Sequence, residues 1–175
     1  NTYKLKDLSE FLKSDLYIVY GSSFIKSKLA KFLIKKKALN IHLGIAPQYR
    51  GRDCNFWALY DNKPEFVGAT IHLISDKVDQ GNLLFHAVTE EMHDPFLYSM
   101  SAAKSAFQSL ENKINNRSIF KLKPNKQLKI NQIRLSRSKD FNELVVKKYF
   151  TKKFKKKKMK FYKKNYKNLF ILKKI

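Results

Sequence analysis

The sequence predicts an α/β fold built on an open, mostly parallel sheet with flanking helices. Three observations carry the prediction. Residues 5–43 alternate helix, strand, helix, strand. The first strand, Leu16–Tyr20, is a short apolar run, as strands covered on two faces tend to be. Polar or turn-forming residues, Gly21-Ser22-Ser23 and Asn40 with His42, fall at the carboxyl ends of the two strands. Alternating elements of this kind fold as crossovers onto one sheet. In such Rossmann-like sheets ligands bind beyond the carboxyl ends of the strands.

Leu5, Leu8, Phe11 and Leu12 predict a helix over Leu5–Lys13. Leu16–Tyr20, bounded by Gly21, reads as a buried parallel strand. Ser22 and Ser23 are expected to cap a helix over Ile25–Lys36, apolar at Ile25, Leu29, Phe32 and Leu33. Lys35, Lys36 and Lys37 complement its dipole. Ala38–Leu43 is the next strand, and its extended chain turns Asn40 and His42 to one side. Pro47–Gly51 reads as a tight basic loop. Asp53 is expected to cap a helix reaching Tyr60, which Asp61-Asn62-Lys63-Pro64 ends. Phe66–Ile74 and Asn82–Thr89 read as strands joined by the polar loop Ser75–Gly81. Pro95–Ile114 is the longest predicted helix, with an apolar stripe through Leu97, Met100, Ala103, Ala106, Phe107 and Leu110. Beyond Asn115 the pattern weakens to a strand over Leu128–Leu135 and a short helix over Asp140–Tyr149.

Composition bounds the partners. The chain has 175 residues, 43% of them hydrophobic, enough for one domain with a core. A single cysteine, Cys54, excludes an internal disulfide framework and fits a reducing, cytoplasmic setting. It reads as a small buried residue. No apolar run approaches the ~20 residues of a membrane span. The first residues carry no apolar stretch with a cleavage site, so no secretory leader is expected. The chain does not begin with Met and is expected to be a piece of a longer product. No His, Cys, Asp or Glu cluster has metal-ligand spacing, so no metal is expected. His86 and His93 are isolated and read as structural or exposed.

The net charge of +23 raises nucleic acid as a partner. Its distribution argues against. Fourteen lysines and no acid lie between Lys147 and Ile175, and only five of the 37 basic residues are Arg. Phosphate and base readout favours the Arg fork. A chain rich in Lys, Asn, Ile, Phe and Tyr is also what an A/T-rich coding sequence gives. Binding through the tail, whose Phe and Tyr residues could stack on bases, is kept as a disfavoured alternative.

The chemistry-bearing residues occur in a telling order. Asn40-Ile41-His42 is followed by Pro47-Gln48-Tyr49-Arg50-Gly51, then Gly68-Ala69-Thr70-Ile71-His72, then Asp79-Gln80-Gly81. Each piece alone is ordinary; an Asn-x-His pair or an Asp-x-Gly turn is more often structural than not. The order and approximate spacing of all four resemble the folate-dependent formyltransferases. That resemblance implies transfer of a formyl group from 10-formyltetrahydrofolate to an amine, without a metal. Attack by the amine puts negative charge on the formyl oxygen and leaves a proton to be removed. Asn40 and His42 would face that oxygen, and Asp79 would tune His42. The resemblance also sets Gly21, Ser22, Ser23 and Phe24 beside the folate pteridine and allows a cis Ala46–Pro47 bond. Tyr49, Arg50 and Gly51 would bind the acceptor, with Arg50 suited to a phosphate. Arg52 reads equally as a phosphate ligand or a solvated charge. His72 could point into the site or be a satisfied strand histidine.

His42-Leu43-Gly44-Ile45-Ala46-Pro47 looks more like the branch acting on nucleotide-linked amino sugars than like the transfer-RNA branch. A homodimer is one option for the assembly. Methionyl-tRNA formylation, or an inactive basic nucleic-acid-binding fragment, are the alternatives. The chain is accordingly divided into a catalytic part, 1–115, an extension, 116–149, and a Lys-rich tail, 150–175, helical or disordered. The family's opening half-domain is expected to be missing.

Overall fold

The computed structural model describes residues 13–89, 94–128 and 132–151. Most of the Leu5–Lys13 helix, nearly all of the Lys-rich tail and His93 lie outside the described residues. Among the described residues six strands and four helices follow one another: β1 (Ile18–Tyr20), α1 (Ser27–Lys35), β2 (Leu39–His42), β3 (Tyr49–Gly51), α2 (Cys54–Tyr60), β4 (Ala69–Leu73), β5 (Leu83–Ala87), α3 (Pro95–Asn115), β6 (Arg134–Ser136) and α4 (Glu143–Thr151). Short 3-10 turns occupy Pro64–Phe66, Ser118–Lys121 and Ser138–Asp140.

The main sheet has the order β1-β2-β4-β5. β1 and β2 are parallel, joined through α1 as a crossover unit. β2 with β4 and β4 with β5 are antiparallel. The sheet is therefore mixed, not mostly parallel. The reason lies in the Ser75–Gly81 connection, which is too short for a crossover and turns β4 back into β5 as a hairpin. β1 is also not the buried strand expected. It lies at the edge of the described sheet, with Ile18 43% and Tyr20 46% exposed.

Strand alternation separates two faces. Leu39 and Ile41 of β2, Ala69 and Ile71 of β4, and Phe85 and Ala87 of β5 pack with Ala106 and Leu110 of α3. The residues between them, Asn40, His42, Thr70 and His72, turn the other way. α3 continues through Tyr98 and Ala102 into a second core with Ile45, Tyr49, Trp57, Leu59, Phe66 and Val67. Asp94 caps α3 by accepting from the Leu97 N–H, 2.8 Å away. The caps expected elsewhere do not form. α1 starts at Ser27 after Lys26, with no side-chain cap from Ser22 or Ser23. Asp53 precedes α2 in a left-handed conformation, φ 55°, and its side chain does not cap.

Tyr49–Gly51 is not a loop. It is a strand paired in parallel with β6, Gly51 opposite Ser136. Gly51 has φ +94°, and a Cβ there would run into the Ser136 carbonyl. Arg134–Ser136, beyond residue 115, is thus built into the body of the fold.

Candidate active site

β2 and β4 pair with Asn40 opposite His72 and His42 opposite Thr70. This register sets four polar side chains on one sheet face, and Asp79 reaches them from the β4–β5 turn. Thr70 serves the backbone. Its hydroxyl donates to the Gly44 carbonyl (2.6 Å) and accepts from the Ala46 N–H (2.9 Å). His86 Nε2 donates to the Ala46 carbonyl at 2.8 Å, a structural role. The Ala46–Pro47 bond between these anchors is cis.

His42 is buried. Its Nε2 lies 2.9 Å from the Tyr49 carbonyl oxygen. A carbonyl only accepts, so Nε2 carries a hydrogen. Nδ1 faces Asp79 Oδ2 at 3.4 Å. A further proton on this ring therefore goes to Nδ1, beside a carboxylate. The same reasoning fixes His72. Its Nδ1 donates to the Leu73 carbonyl at 2.7 Å, leaving Nε2 of a neutral ring to accept from Asn40 Nδ2 at 3.1 Å. Asn40 Nδ2 also donates to Asp79 Oδ1, more loosely, at 3.4 Å. His72 thus holds the Asn40 amide with its nitrogen toward Asp79.

Asp79 is 12% exposed and sits in a left-handed backbone conformation, φ 48°. The Gly51 N–H donates to its Oδ2 at 2.9 Å. Burial would raise its pKa. His42 when protonated, the neighbouring His72 ring and the Gly51 N–H outweigh burial and hold it at about 2. Burial moves His42 the other way, below the usual imidazole value, against the pull of Asp79. The two groups form one coupled acid–base unit.

Gln127 fixes the turn that carries Asp79. Its Nε2 donates to the carbonyls of Asp79 (3.0 Å) and Gly81 (2.6 Å). Its Oε1 accepts from Arg50 Nη2 at 2.9 Å. Nothing in local sequence pattern singles out this residue.

Asn40, His42, His72 and Asp79 open onto a cavity of about 650 Å³, lined also by Gly21–Ile25, Gly51–Asp53 and Ser136–Ser138. Gly21, Ser22, Ser23 and Phe24 therefore share the cavity with Asn40, His42, Asp79 and Gly51. Tyr49 and Arg50 do not line it. Tyr49 is fully buried, with its hydroxyl on Asp61 Oδ2 at 3.2 Å. Arg50 is 2% exposed, with Nη1 on Gln132 Oε1 at 3.0 Å. Their side chains support the site from behind, because as strand residues they face into the protein. Cys54 is buried, and burial pushes its thiol pKa up. Among the described residues no group of His, Cys, Asp and Glu could hold a metal ion, and no helix is long and apolar enough to cross a membrane.

Comparison with known proteins gives this geometry a family. A methionyl-tRNA formyltransferase from Finegoldia magna is 31% identical over 107 residues, which are 55% of this chain and 34% of that protein. The chain thus spans about a third of that relative. Among solved structures, the formyltransferase PseJ from Anoxybacillus kamchatkensis, in complex with UDP-4,6-dideoxy-4-formamido-L-AltNAc and tetrahydrofolate, superposes with a TM-score of 0.61 at 22% identity. The match covers 73% of this chain and 67% of that one. A 4-N formyltransferase from Francisella tularensis gives a TM-score of 0.62 at 21% identity, over 79% of this chain and 57% of its own. These two likenesses show the fold. The family model described as formyl transferase matches residues 4–119, well over half of the sequence, and the chain therefore belongs to the formyl transferase family.

Proposed function

We propose that the chain is the catalytic part of an enzyme that transfers a formyl group from 10-formyltetrahydrofolate to the amine of a nucleotide-linked amino sugar. The observation that carries the reading is the convergence of Asn40, His42 and Asp79 in one cavity, with Asp79 held as an anion against His42. The cavity volume lies within the range usual for small-molecule sites. The Gly21–Phe24 turn on its wall fits a folate ring with backbone groups at a strand end.

The folate, when bound, supplies an electrophilic formyl carbon. The chain's own residues do the rest. Asn40 Nδ2 gives up its longer bond, to Asp79, and donates to the oxygen on which charge develops. His72 keeps the amide turned for that task. His42 takes the amine's proton on Nδ1, where Asp79 stabilises the resulting cation, and the proton passes on to the folate nitrogen that leaves as its bond to the formyl carbon breaks. The Tyr49 carbonyl holds the ring through Nε2.

The sugar acceptor is supported by the UDP-sugar and tetrahydrofolate carried by the PseJ relative. A second reading, methionyl-tRNA as acceptor, is favoured by the identity to the Finegoldia enzyme. A competition decides between them. The full polypeptide receives 10-formyltetrahydrofolate with either UDP- or dTDP-linked amino sugars or methionyl-tRNA, and tetrahydrofolate release is followed. Turnover on the amino sugars is expected. Turnover on methionyl-tRNA alone would overturn the sugar acceptor and keep the chemistry.

A further inference from the structure

The chain has five arginines among 37 basic residues, and four of them, Arg50, Arg52, Arg134 and Arg137, lie on or beside the β3–β6 ladder. They divide into two pairs. Arg50 and Arg134 are engaged inside the fold. Arg50 bonds Gln127 and Gln132. Arg134 makes two bonds to Asp61, 3.0 and 2.7 Å, and lies 4.3 Å over the Trp57 ring.

Arg52 and Arg137 are different. Both are exposed, and both line the cavity that holds Asn40, His42 and Asp79. Each follows the last paired position of its strand, Gly51 opposite Ser136. Because β3 and β6 run parallel, the two arginines leave the ladder side by side at the same end. Neighbouring strands lie ~5 Å apart. The ends are pinned together: the Arg52 N–H donates to the Ser136 carbonyl at 3.2 Å, and Ser136 Oγ donates back to the Arg52 carbonyl. Arg52 Nη1 donates to Ser138 Oγ at 3.2 Å, and Ser138 also lines the cavity. Asp53 lines the cavity too, yet among the described residues neither guanidinium is in an ion pair with a carboxylate. Two adjacent cations at a cavity mouth favour an anion between them. The planar forks suit the oxygens of a phosphate better than lysine would.

We propose that Arg52 and Arg137 form a clamp for the diphosphate of a nucleoside-diphosphate acceptor, so that these arginines and not the buried Arg50 select the acceptor class. The clamp rests on the amino-sugar nucleotide reading above. It would anchor the acceptor by groups that take no part in the chemistry at His42.

The test is a calorimetric titration of the full chain, loaded with 5-formyltetrahydrofolate, with UDP, dTDP and uridine. UDP or dTDP is expected to bind at least tenfold more tightly than uridine, and more weakly as salt rises. Arg52→Ala and Arg137→Ala should each weaken the diphosphate about tenfold or more and leave uridine and 5-formyltetrahydrofolate binding unchanged. Arg52→Lys and Arg137→Lys should recover only part of the loss. If the double alanine variant binds UDP and dTDP as the unaltered chain does, the clamp is wrong while the acceptor class survives. If the unaltered chain binds 5-formyltetrahydrofolate but neither diphosphate, and formylates methionyl-tRNA, clamp and acceptor class both fall. If it does not bind 5-formyltetrahydrofolate, the formyl-transfer reading itself fails.

Discussion

Replacing Asp79 by Asn tests the central claim, that this side chain is held as an anion by the groups around it. Asn has the shape of the neutral acid. The surroundings lower the Asp79 pKa from 3.8 to about 2, so the fold prefers the carboxylate over its neutral form by about 2 kcal/mol. Much of that preference comes from His42 in its charged form, so D79N should forfeit roughly that stability where the ring is protonated and less at pH 7. The sign follows from linkage. A depressed carboxylate pKa contributes stability above the unfolded value near 4, and that stability is lost as pH falls through the folded value. The gap between the two proteins should therefore be largest where His42 carries its proton and Asp79 does not, and close between about pH 4 and pH 2. Urea melts from pH 7 to pH 2 measure it. Equal stability throughout, or a gap that persists unchanged below pH 2, would refute the electrostatic account. The rate is a second readout. An Asn amide at position 79 can donate to His42 Nδ1 and occupy the atom that should take the proton. Formyl transfer should then fall ~10²–10⁴-fold. Transfer within threefold of the unaltered enzyme would remove Asp79 from the mechanism.

Other perturbations probe its neighbours. His42→Ala should lower formyl transfer by ~10²–10⁴ with 5-formyltetrahydrofolate affinity retained, as calorimetry would show. Asn40→Ala should cost ~10²–10³ in turnover, from loss of one oxyanion donor. Because burial depresses the His42 pKa, the acid limb of the rate profile should fall below the ordinary imidazole value, activity declining as the ring protonates. A limb above pH 6.5 would contradict that. Arg50→Met should destabilise the chain by ~2 kcal/mol in denaturant melts, since it strands the buried Gln127 Oε1.

The local part of this structure is legible in sequence. The β1-α1-β2 unit follows from apolar runs and helical spacing, and the two-residue period of β2 suffices to put Asn40 and His42 together. What pairing decides is not legible. Tyr49-Arg50-Gly51 is three residues long, charged and Gly-ended, and becomes a strand only because Arg134–Ser136, over 80 positions later, lies beside it. That pairing turns Arg50 inward, so a residue with the look of a phosphate ligand becomes a support. The mixed sheet was implicit in the length of the Ser75–Gly81 loop, since a seven-residue link cannot carry a crossover helix. Apolar pattern alone hides it, because a strand's alternation is the same in either direction. His72 illustrates a different limit. Its place on the Thr70 face is readable, but its service to Asn40 depends on the β2–β4 register. Gln127 has no readable signal, because both its partners on the Asp79 turn are backbone carbonyls.

The grip of Gln127 on that turn has a consequence for biosynthesis. Its bond to the Asp79 carbonyl joins residues 48 positions apart, and the β3–β6 ladder spans a still greater separation. Contacts so distant in sequence form late, after the intervening segment has closed into a loop. On a ribosome, β2 and the Asp79 hairpin emerge well before Gln127 does. Nascent chains in which the carboxylate is present but its turn is unclamped therefore precede the finished one. Assembly of the histidine–aspartate pair is tied to the arrival of a glutamine from a segment that carries no chemistry of its own. A polypeptide interrupted between residues 82 and 126 would hold every acid–base group of the site without the lock that orders them.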